Sequence, residues 1–237
     1  MSSEIATQAL TKPGLRQFYA SVYARYLHCL ARCPKDGQAI ELGSGYGFLR
    51  TITADITPTD VTAYDGIDHI EDARKLSFPD NSLRAIFMLN TLHHIPDAEL
   101  FFQEAQRCLV PGGRILIVDH YPGIISTPIY KWLHHEPWLP KTPAWQFASH
   151  NPYKDGNAAL AWIIFFRDRK TFLAKFPHLT IATITPNTPL LYWLSGGLKS
   201  WTLISRTTLR FAISLDTVLM RISPRFGSFM DIEIVKK

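Results

Sequence analysis

A carboxylate and three alternating glycines stand together in the segment ELGSGYG at residues 41–47. Glu41 belongs to a short apolar run, and Gly43, Gly45 and Gly47 follow it at every second position. Glycine inside a regular element costs about 0.5–1 kcal/mol relative to alanine, so the repetition requires a reason. A turn that brings the backbone close to a ligand supplies one. The segment therefore predicts a ligand-binding loop.

The elements around this loop are in the order of a nucleotide-binding unit. Residues 38–42 predict a buried strand, and residues 48–55 predict the start of a helix. Gly43 would allow the tight turn, and Gly45 would allow the close approach of the backbone. Gly47 would open the helix, whose first N–H groups favour electron-rich ligand atoms.

Apolar runs alternate with amphipathic segments along the rest of the chain. The predicted strands lie at residues 61–65, 83–90, 114–121, 179–185 and 229–237, and the predicted helices at residues 14–31, 95–113 and 158–176. This alternation predicts βαβ units, an α/β fold and a mainly parallel sheet. Asp65 and Asn90 end two of these strands, at the sheet edge where ligands bind in open α/β folds.

The chain is interpreted as a single domain that spans residues 1–237. Residues 1–35 predict an N-terminal helical region. Residues 121–178 are rich in Pro, Trp, His and Tyr and show little regular period before their final helix. They predict an inserted cap or lid, since long irregular segments in compact domains are often functional.

Histidines beside a carboxylate form a second group of residues suited to chemistry. His93 and His94 follow a predicted strand, His120 lies at the end of the next one, and His134, His135 and Glu136 lie together in the predicted cap. A histidine next to a carboxylate can act as a general base. From this group, His94, His134, His135 and Glu136 are the predicted catalytic candidates. Ordinary packing of these side chains is the alternative interpretation. With three cysteines, no CxxC spacing and no second dense Cys/His cluster in the sequence, no metal site is predicted.

The charge distribution predicts a surface contact near the C-terminus. The formal net charge is +5, and residues 188–230 hold five basic residues against the single acid Asp216. With its many large apolar side chains, the region 188–229 predicts peripheral contact with an anionic membrane. A core helix whose arginines reach solvent is the alternative. The basic residues form no dense run, which disfavours nucleic acid as a partner.

Compartment is predicted from the absence of membrane and secretory signals in the sequence. There is no run of about 18 uncharged apolar residues, and residues 1–14 lack a basic start followed by an apolar core. A cytoplasmic protein is therefore expected, with the membrane contact at the inner face.

The glycine pattern resembles motif I of the class I S-adenosylmethionine-dependent methyltransferases, in their small-molecule, type 11-like branch. Phe48 stands where the G-x-G-x-x-G dinucleotide fingerprint has its third glycine, which disfavours an NAD-dependent oxidoreductase. The resemblance covers residues 36–120. It includes the later segments EDARKLSFPDNS and CLVPGGRILIVD.

This resemblance implies S-adenosylmethionine as cofactor. It also implies a Rossmann-like, doubly wound sheet of seven strands, with helices on both faces and an antiparallel last strand at residues 229–237. Asp65 would accept hydrogen bonds from the ribose hydroxyls, Asp72 and Ala73 would contact adenine, and Glu41 would lie near the methionine end. The implied cofactor residues are Glu41, Gly43, Ser44, Gly45, Gly47, Asp65, Asp72, Ala73 and Asn90.

The expected reaction is methyl transfer to an oxygen or carbon of a small-molecule, lipid or glycan acceptor. The third predicted strand ends in LNTLHH and not in the Asn/Asp-Pro-Pro-Tyr/Phe signature of methyltransferases that act on adenine or glutamine nitrogens. A non-catalytic cofactor-binding partner or regulatory subunit is the second interpretation. The acceptor and the oligomeric state stay open at this stage.

Overall fold

Helices and strands alternate through most of the chain in the computed structural model, which describes residues 11–45, 48–151 and 155–237. The first half contains α1 (Pro13–Leu30), β1 (Gln38–Leu42), β2 (Thr57–Asp60), β3 (His69–Ile70), β4 (Leu83–Leu89), α2 (Ala98–Cys108) and β5 (Leu109–His120). The second half contains α3 (Ser126–Trp132), α4 (Leu160–Trp162), α5 (Arg169–Lys175), β6 (Leu179–Asn187), α6 (Leu191–Leu194), α7 (Leu209–Ile222) and β7 (Phe229–Lys236). Short 3₁₀ turns lie at Phe48–Thr51, Leu92–His94 and Pro224–Phe226, and a π-helical turn at Ile163–Arg167.

The strands of the described residues form one mixed sheet of seven, in the order β3-β2-β1-β4-β5-β7-β6. Strands β1 to β5 pair in parallel, and β7 lies antiparallel between β5 and β6. The predicted α/β fold and the antiparallel last strand are therefore confirmed. The strand order changes direction between β1 and β4. Open α/β sheets bind their ligands at such a point.

The two faces of the sheet bury different residues, because successive side chains of a strand point to opposite sides. On β4, Ile86 and Met88 pack in the cluster that contains α2 and the segment around α4 and α5. Ala85 and Phe87 pack in the cluster that contains α1 and α7. The sheet is covered by helices on both faces, as predicted.

The second strand differs from the prediction. β2 is Thr57–Asp60, and residues 61–65, which were predicted as the strand, form a loop after it. The four residues of β2 contain a proline and carry no apolar run, so periodicity gives no signal for them. Their backbone pairs with β1 on one side and β3 on the other, and this pairing selects the strand.

The connection from β1 to β2 also differs. The expected helix over 48–55 is a single 3₁₀ turn, Phe48–Thr51, and β2 begins six residues later. Leu49 of this turn is fully buried with α1. The N-terminal helix α1 therefore covers this side of the sheet, and it confirms the predicted helix at 14–31.

The predicted cap at 121–178 divides into two parts. Ala159, Ile163, Phe165 and Phe172 are fully buried in the same cluster as α2, so the second part is a helical layer of the core and not a lid. The first part runs beside the turn after β4, where the backbone N–H groups of Phe147 and Ala98 reach across to Pro96 and Trp145. A lid role for the first part stays a prediction.

Among the described residues, no helix has the length and apolar character needed to cross a bilayer.

Candidate active site

Polar side chains collect where four neighbouring strands end. Glu41 lies in β1, Asp60 ends β2, Asn90 follows β4, and Asp119 lies near the end of β5. These strands are parallel neighbours, so their carboxyl ends meet at one edge of the sheet. All four positions fall at the edge that the sequence predicts for a ligand.

The glycine loop has the geometry of a ligand cradle. Gly43 has φ +72°, and a Cβ there would collide with the side chain of Thr91. Gly45 has φ +56°, and apart from its chain neighbours no atom of the described residues lies within 4 Å of the place where its Cβ would be. The loop is therefore open beside Gly45, where backbone can approach a ligand. Gly47, the third glycine of the prediction, lies outside the described residues.

Asp60 holds this loop in place. Its Oδ2 accepts a hydrogen bond of 2.9 Å from the backbone N–H of Gly45, and its Oδ1 accepts one of 3.1 Å from Thr62. The residue is 3% exposed. A carboxylate at the end of β2 thus lies directly beside the open glycine loop.

Asp65, the predicted acid at this strand end, lies five residues beyond β2 in a loop. The prediction that Asp65 ends the second strand is wrong, because the strand stops at Asp60. The sequence pattern alone does not single out Asp60, since Asp55, Asp60 and Asp65 all follow the glycines.

Glu41 is buried beneath the loop. Its Oε2 accepts a hydrogen bond of 2.7 Å from the Ser44 hydroxyl, and only 2% of the residue is exposed. Burial raises the pKa of Glu41 to about 7, against the lowering effect of the hydrogen bond from Ser44. The group can therefore change charge close to neutral pH.

Asn90 supplies an unpaired polar atom at the same edge. Its backbone adopts φ +52°, a conformation that asparagine tolerates better than most residues. Within the described residues its Oδ1 is buried and has no hydrogen-bond partner. A buried carbonyl oxygen without a partner is costly, so a bound ligand that donates to Oδ1 would remove that cost.

The predicted adenine contacts, Asp72 and Ala73, lie in the loop after β3. The carboxylate of Asp72 accepts hydrogen bonds from the guanidinium and backbone N–H of Arg74, and these hydrogen bonds lower its pKa against the opposing effect of burial. The neighbouring Glu71 is the buried acid of this loop and accepts from the backbone of Ser77 at 3.0 Å. The adenine role of Asp72 and Ala73 stays a prediction.

The four predicted catalytic residues come together with three others. His93 and His94 lie in the 3₁₀ turn after β4, and Glu136 reaches both rings, with 3.0 Å from Oε2 to His93 Nε2 and 3.1 Å from Oε1 to His94 Nε2. His135 Nε2 lies 3.2 Å from the same Oε1, and His134 Nδ1 lies 3.6 Å from Oε2. The predicted catalytic residues therefore share one carboxylate.

His93, Asp119 and His120 also belong to this cluster, and of these three only Asp119 is not among the residues that the sequence suggests for chemistry. Asp119 Oδ1 lies 2.7 Å from His93 Nδ1 and accepts the backbone N–H of His120 at 2.7 Å. The rings of His93 and His120 stack with centroids 4.3 Å apart. Their sequence signal is position alone, since each follows or ends a strand at the ligand edge.

Burial and the paired charges set the protonation of this cluster. Burial alone would lower the pKa of His93, but the carboxylates of Asp119 and Glu136 raise it to about 10. Burial would raise the pKa of Glu136, but His93 holds it far below its usual range. Burial lowers the pKa of His134 to about 4, and burial together with the His93 charge keeps that of His120 well below its usual value.

The comparisons with known proteins agree with this architecture. Residues 40–117 match the family described as methyltransferase domain. Over 97 residues the chain is 35% identical to a 2-methyl-6-phytyl-1,4-hydroquinone methyltransferase of Synechocystis, with 37% of this chain and 30% of that protein covered. These similarities support a class I S-adenosylmethionine-dependent methyltransferase domain in the matched part of the chain, residues 40–117. The resemblance drawn from ELGSGYG is confirmed.

Two further similarities are to C-methyltransferases. The chain is 30% identical over 118 residues to a ubiquinone/menaquinone biosynthesis C-methyltransferase of Desulfotalea psychrophila, covering 42% of this chain and 48% of that one. The solved geranyl diphosphate C-methyltransferase of Streptomyces coelicolor superposes with a TM-score of 0.54 at 15% identity, over 94% of this chain and 81% of that one. This last likeness shows the fold. The chain spans less than half the length of each of these two curated relatives, the proteins of Synechocystis and Desulfotalea psychrophila.

Proposed function

We propose that this methyltransferase transfers a methyl group from S-adenosylmethionine to an oxygen or carbon atom of a small apolar acceptor. The observation that carries the proposal is the ligand cradle at the carboxyl edge of the sheet. There, the open space at Gly45, the carboxylate of Asp60 and the unpaired Oδ1 of Asn90 lie on adjacent strands. The residues present therefore fit the cofactor of the family.

The work of the protein in such a reaction is positioning. S-adenosylmethionine supplies a methyl group on a positively charged sulfur that is already a good leaving group. Asp60 would bind the ribose hydroxyls, because a carboxylate can accept both, and Glu41 would bind the ammonium of the methionine end. Holding the donor and acceptor in line then supplies most of the acceleration.

The acceptor would lie against the histidine cluster that follows β4 and β5. An acceptor hydroxyl or acidic carbon must lose a proton, and His94, His134, His135 and Glu136 are the groups proposed to take part. Small-molecule methyltransferases of quinols are among the relatives, and an apolar ring with hydroxyls suits both the cluster and the stacked rings of Tyr130 and Trp138.

Calorimetric titration with S-adenosylhomocysteine tests the cofactor, with NAD as the control ligand. Micromolar binding of the first and none of the second is expected. Transfer of labelled methyl groups to a quinol, and to lipid and glycan extracts, then tests the reaction. Cofactor binding without transfer to any acceptor would instead support the non-catalytic partner, and binding of NAD alone would overturn the proposal.

Cofactor affinity should depend on pH through Glu41. A carboxylate binds an ammonium group when it is ionised, and a pKa of about 7 means that ionisation rises between pH 6 and pH 8. We therefore expect affinity for S-adenosylhomocysteine to increase about tenfold over this interval. In the Glu41→Gln variant, only the titration of the ligand itself can change the affinity with pH. The increase that comes from ionisation of Glu41 should therefore be lost. Equal pH profiles for the two proteins would remove Glu41 from the methionine end.

An apolar stripe on α7 supports membrane contact in the region 188–229. Phe211, Val218 and Ile222 are 72%, 50% and 67% exposed, and their spacing places them on one face of the helix. Arg210 and Arg221 lie exposed along one edge of this stripe. Apolar side chains beside basic ones match an anionic lipid surface, so we propose that α7 lies on the inner face of a membrane, from which an apolar acceptor would enter. The proposal includes no nucleic-acid partner.

Vesicle sedimentation tests the stripe. The protein should sediment with vesicles of phosphatidylcholine and phosphatidylglycerol, less with phosphatidylcholine alone, and less at high salt, since charge attraction is screened. Together Phe211→Ser and Ile222→Ser should weaken vesicle binding at least about tenfold, whereas Leu173→Ser, at an exposed site on α5, should not. The alternative is that a second copy of the chain covers the stripe. Light scattering at several protein concentrations detects such a dimer. A dimer that these two changes dissociate, without vesicle binding, would assign the stripe to a second copy of the chain.

A further inference from the structure

Two histidine pairs that lie 40 residues apart in the sequence meet at one carboxylate. The Nε2 atoms of His93, His94 and His135 lie 3.0, 3.1 and 3.2 Å from the oxygens of Glu136. The donor atoms of His93, His94 and Glu136 lie within 4.8 Å of one another. Two imidazole nitrogens and a carboxylate thus surround a common centre, and the ring of His135 lies beside the same carboxylate.

The outer nitrogens of the first two rings are held by the protein. His93 Nδ1 bonds Asp119 Oδ1 at 2.7 Å, and His94 Nδ1 bonds the backbone carbonyl of Asp155 at 3.0 Å. Metal-binding histidines almost always donate one ring N–H to a carboxylate or a backbone carbonyl, which fixes the other nitrogen toward the metal. Here a carboxylate contacts the outer nitrogen of His93, and a backbone carbonyl contacts that of His94.

The separations between donor atoms fit a small divalent ion. Zinc bonds imidazole nitrogen and carboxylate oxygen at about 2.0–2.2 Å in tetrahedral geometry, which places neighbouring ligand atoms roughly 3.3–3.5 Å apart. The ring nitrogens of His93 and His94 lie 3.0 and 3.1 Å from the Glu136 oxygens, and the ligand atoms of all three residues lie within 4.8 Å of one another. Movements of the side chains would therefore admit the ion.

A purely hydrogen-bonded cluster satisfies these groups less well. His93 and His94 each face an oxygen acceptor at both ring nitrogens. The two rings lie side by side with centroids 4.3 Å apart, and within the described residues Glu136 Oε2 is buried without a hydrogen-bond partner. A divalent ion would give the inner nitrogen and oxygen atoms one centre to share.

We propose that His93 Nε2, His94 Nε2 and the carboxylate of Glu136 bind a divalent transition-metal ion of the zinc class. His135, whose side chain is 66% exposed, would turn toward this group to supply the fourth ligand, and it could yield that position to an oxygen of the acceptor. Two histidines and a glutamate with one exchangeable position form a donor set that zinc enzymes use. This assigns a metal site where the sequence predicted none. Only the role toward the acceptor rests on the proposed function. With the ion bound, His134 is the one of the four proposed proton-transfer residues that is not a ligand.

Metal content and metal binding test the site without any reaction. Protein purified without chelator should contain about one zinc per chain by elemental analysis. After removal of the metal, Co²⁺ should bind with one equivalent and give the visible absorption bands of a four-coordinate site, and Zn²⁺ should displace it. Wild-type protein that takes up neither ion would overturn the proposal.

Variants separate this site from adventitious binding. His94→Ala and Glu136→Gln should lose the stoichiometric ion, and His135→Ala, a change at an exposed ring that should leave folding intact, should weaken Co²⁺ binding and alter its spectrum. His178→Ala, at an exposed histidine outside the cluster, should bind as the wild type does. Unchanged binding in both His94→Ala and His135→Ala would place the ion elsewhere and reject the assignment. Titration with S-adenosylhomocysteine on the same samples reports the proposed cofactor site independently.

Discussion

Replacement of Asp60 by asparagine should weaken S-adenosylhomocysteine binding about 10- to 100-fold. Hydrogen bonds to a charged group contribute about 1.5–3 kcal/mol each, and the ribose hydroxyls would lose their charged acceptor. Asparagine keeps an oxygen for the N–H of Gly45, which Asp60 now accepts at 2.9 Å, so the loop should retain its shape. Calorimetric titration of the variant measures the loss.

The Asp65→Asn variant is the matched control for this prediction. Asp65 lies in the loop beyond β2, so its replacement should change the dissociation constant less than about twofold. The reverse result, with Asp65→Asn losing affinity and Asp60→Asn keeping it, would return the ribose role to the residue that the sequence analysis favoured.

Replacement of Asp119 by alanine should lower the free energy of unfolding by about 3–5 kcal/mol. The Asp119 side chain has no exposed surface, and its carboxylate accepts the ring N–H of His93 and the backbone N–H of His120, both at 2.7 Å. Removing one member of a buried ion pair leaves an uncompensated charge, and such changes typically cost this much. Urea unfolding in the presence of a chelator measures the change for the metal-free protein.

A surface ion pair gives the comparison for this prediction. Glu99 pairs with Lys175 at 2.5 Å on the surface, and Glu99→Ala should cost less than about 1 kcal/mol. Asp119→Asn should fall between the two, since it keeps an acceptor but loses the charge. If Asp119→Ala unfolds at the same urea concentration as Glu99→Ala, the charge balance assigned to the buried cluster is wrong.

The sequence by itself determined the fold class and the place of the site. Strands β1, β4, β5 and β7 are runs of apolar residues, and α1 and α2 have helical spacing, so local patterns are sufficient to predict them. The glycines at 43 and 45 likewise carry their own signal, because the positive φ values observed there are rarely adopted by other residues.

Only the tertiary structure decided where the second strand ends. The segment TPTD has no apolar period, and it becomes β2 because β1 and β3 pair with its backbone. Strand pairing depends on partners that are distant in the sequence, and local periodicity does not show them. Residues 61–65 alternate between apolar and polar side chains, so they were predicted as the strand in place of 57–60. The acid proposed to bind the cofactor therefore moved from Asp65 to Asp60.

Tertiary structure also decided the composition of the histidine cluster. The sequence shows HH at 93–94 and HHE at 134–136 as separate pairs, and neither has the dense spacing of a metal site. The chain after β5 returns to the turn after β4, where Asn157 donates its backbone N–H to the carbonyl of His93. This return brings Glu136 between the rings. The contact between these two segments cannot be predicted from local sequence, because the tertiary fold brings them together.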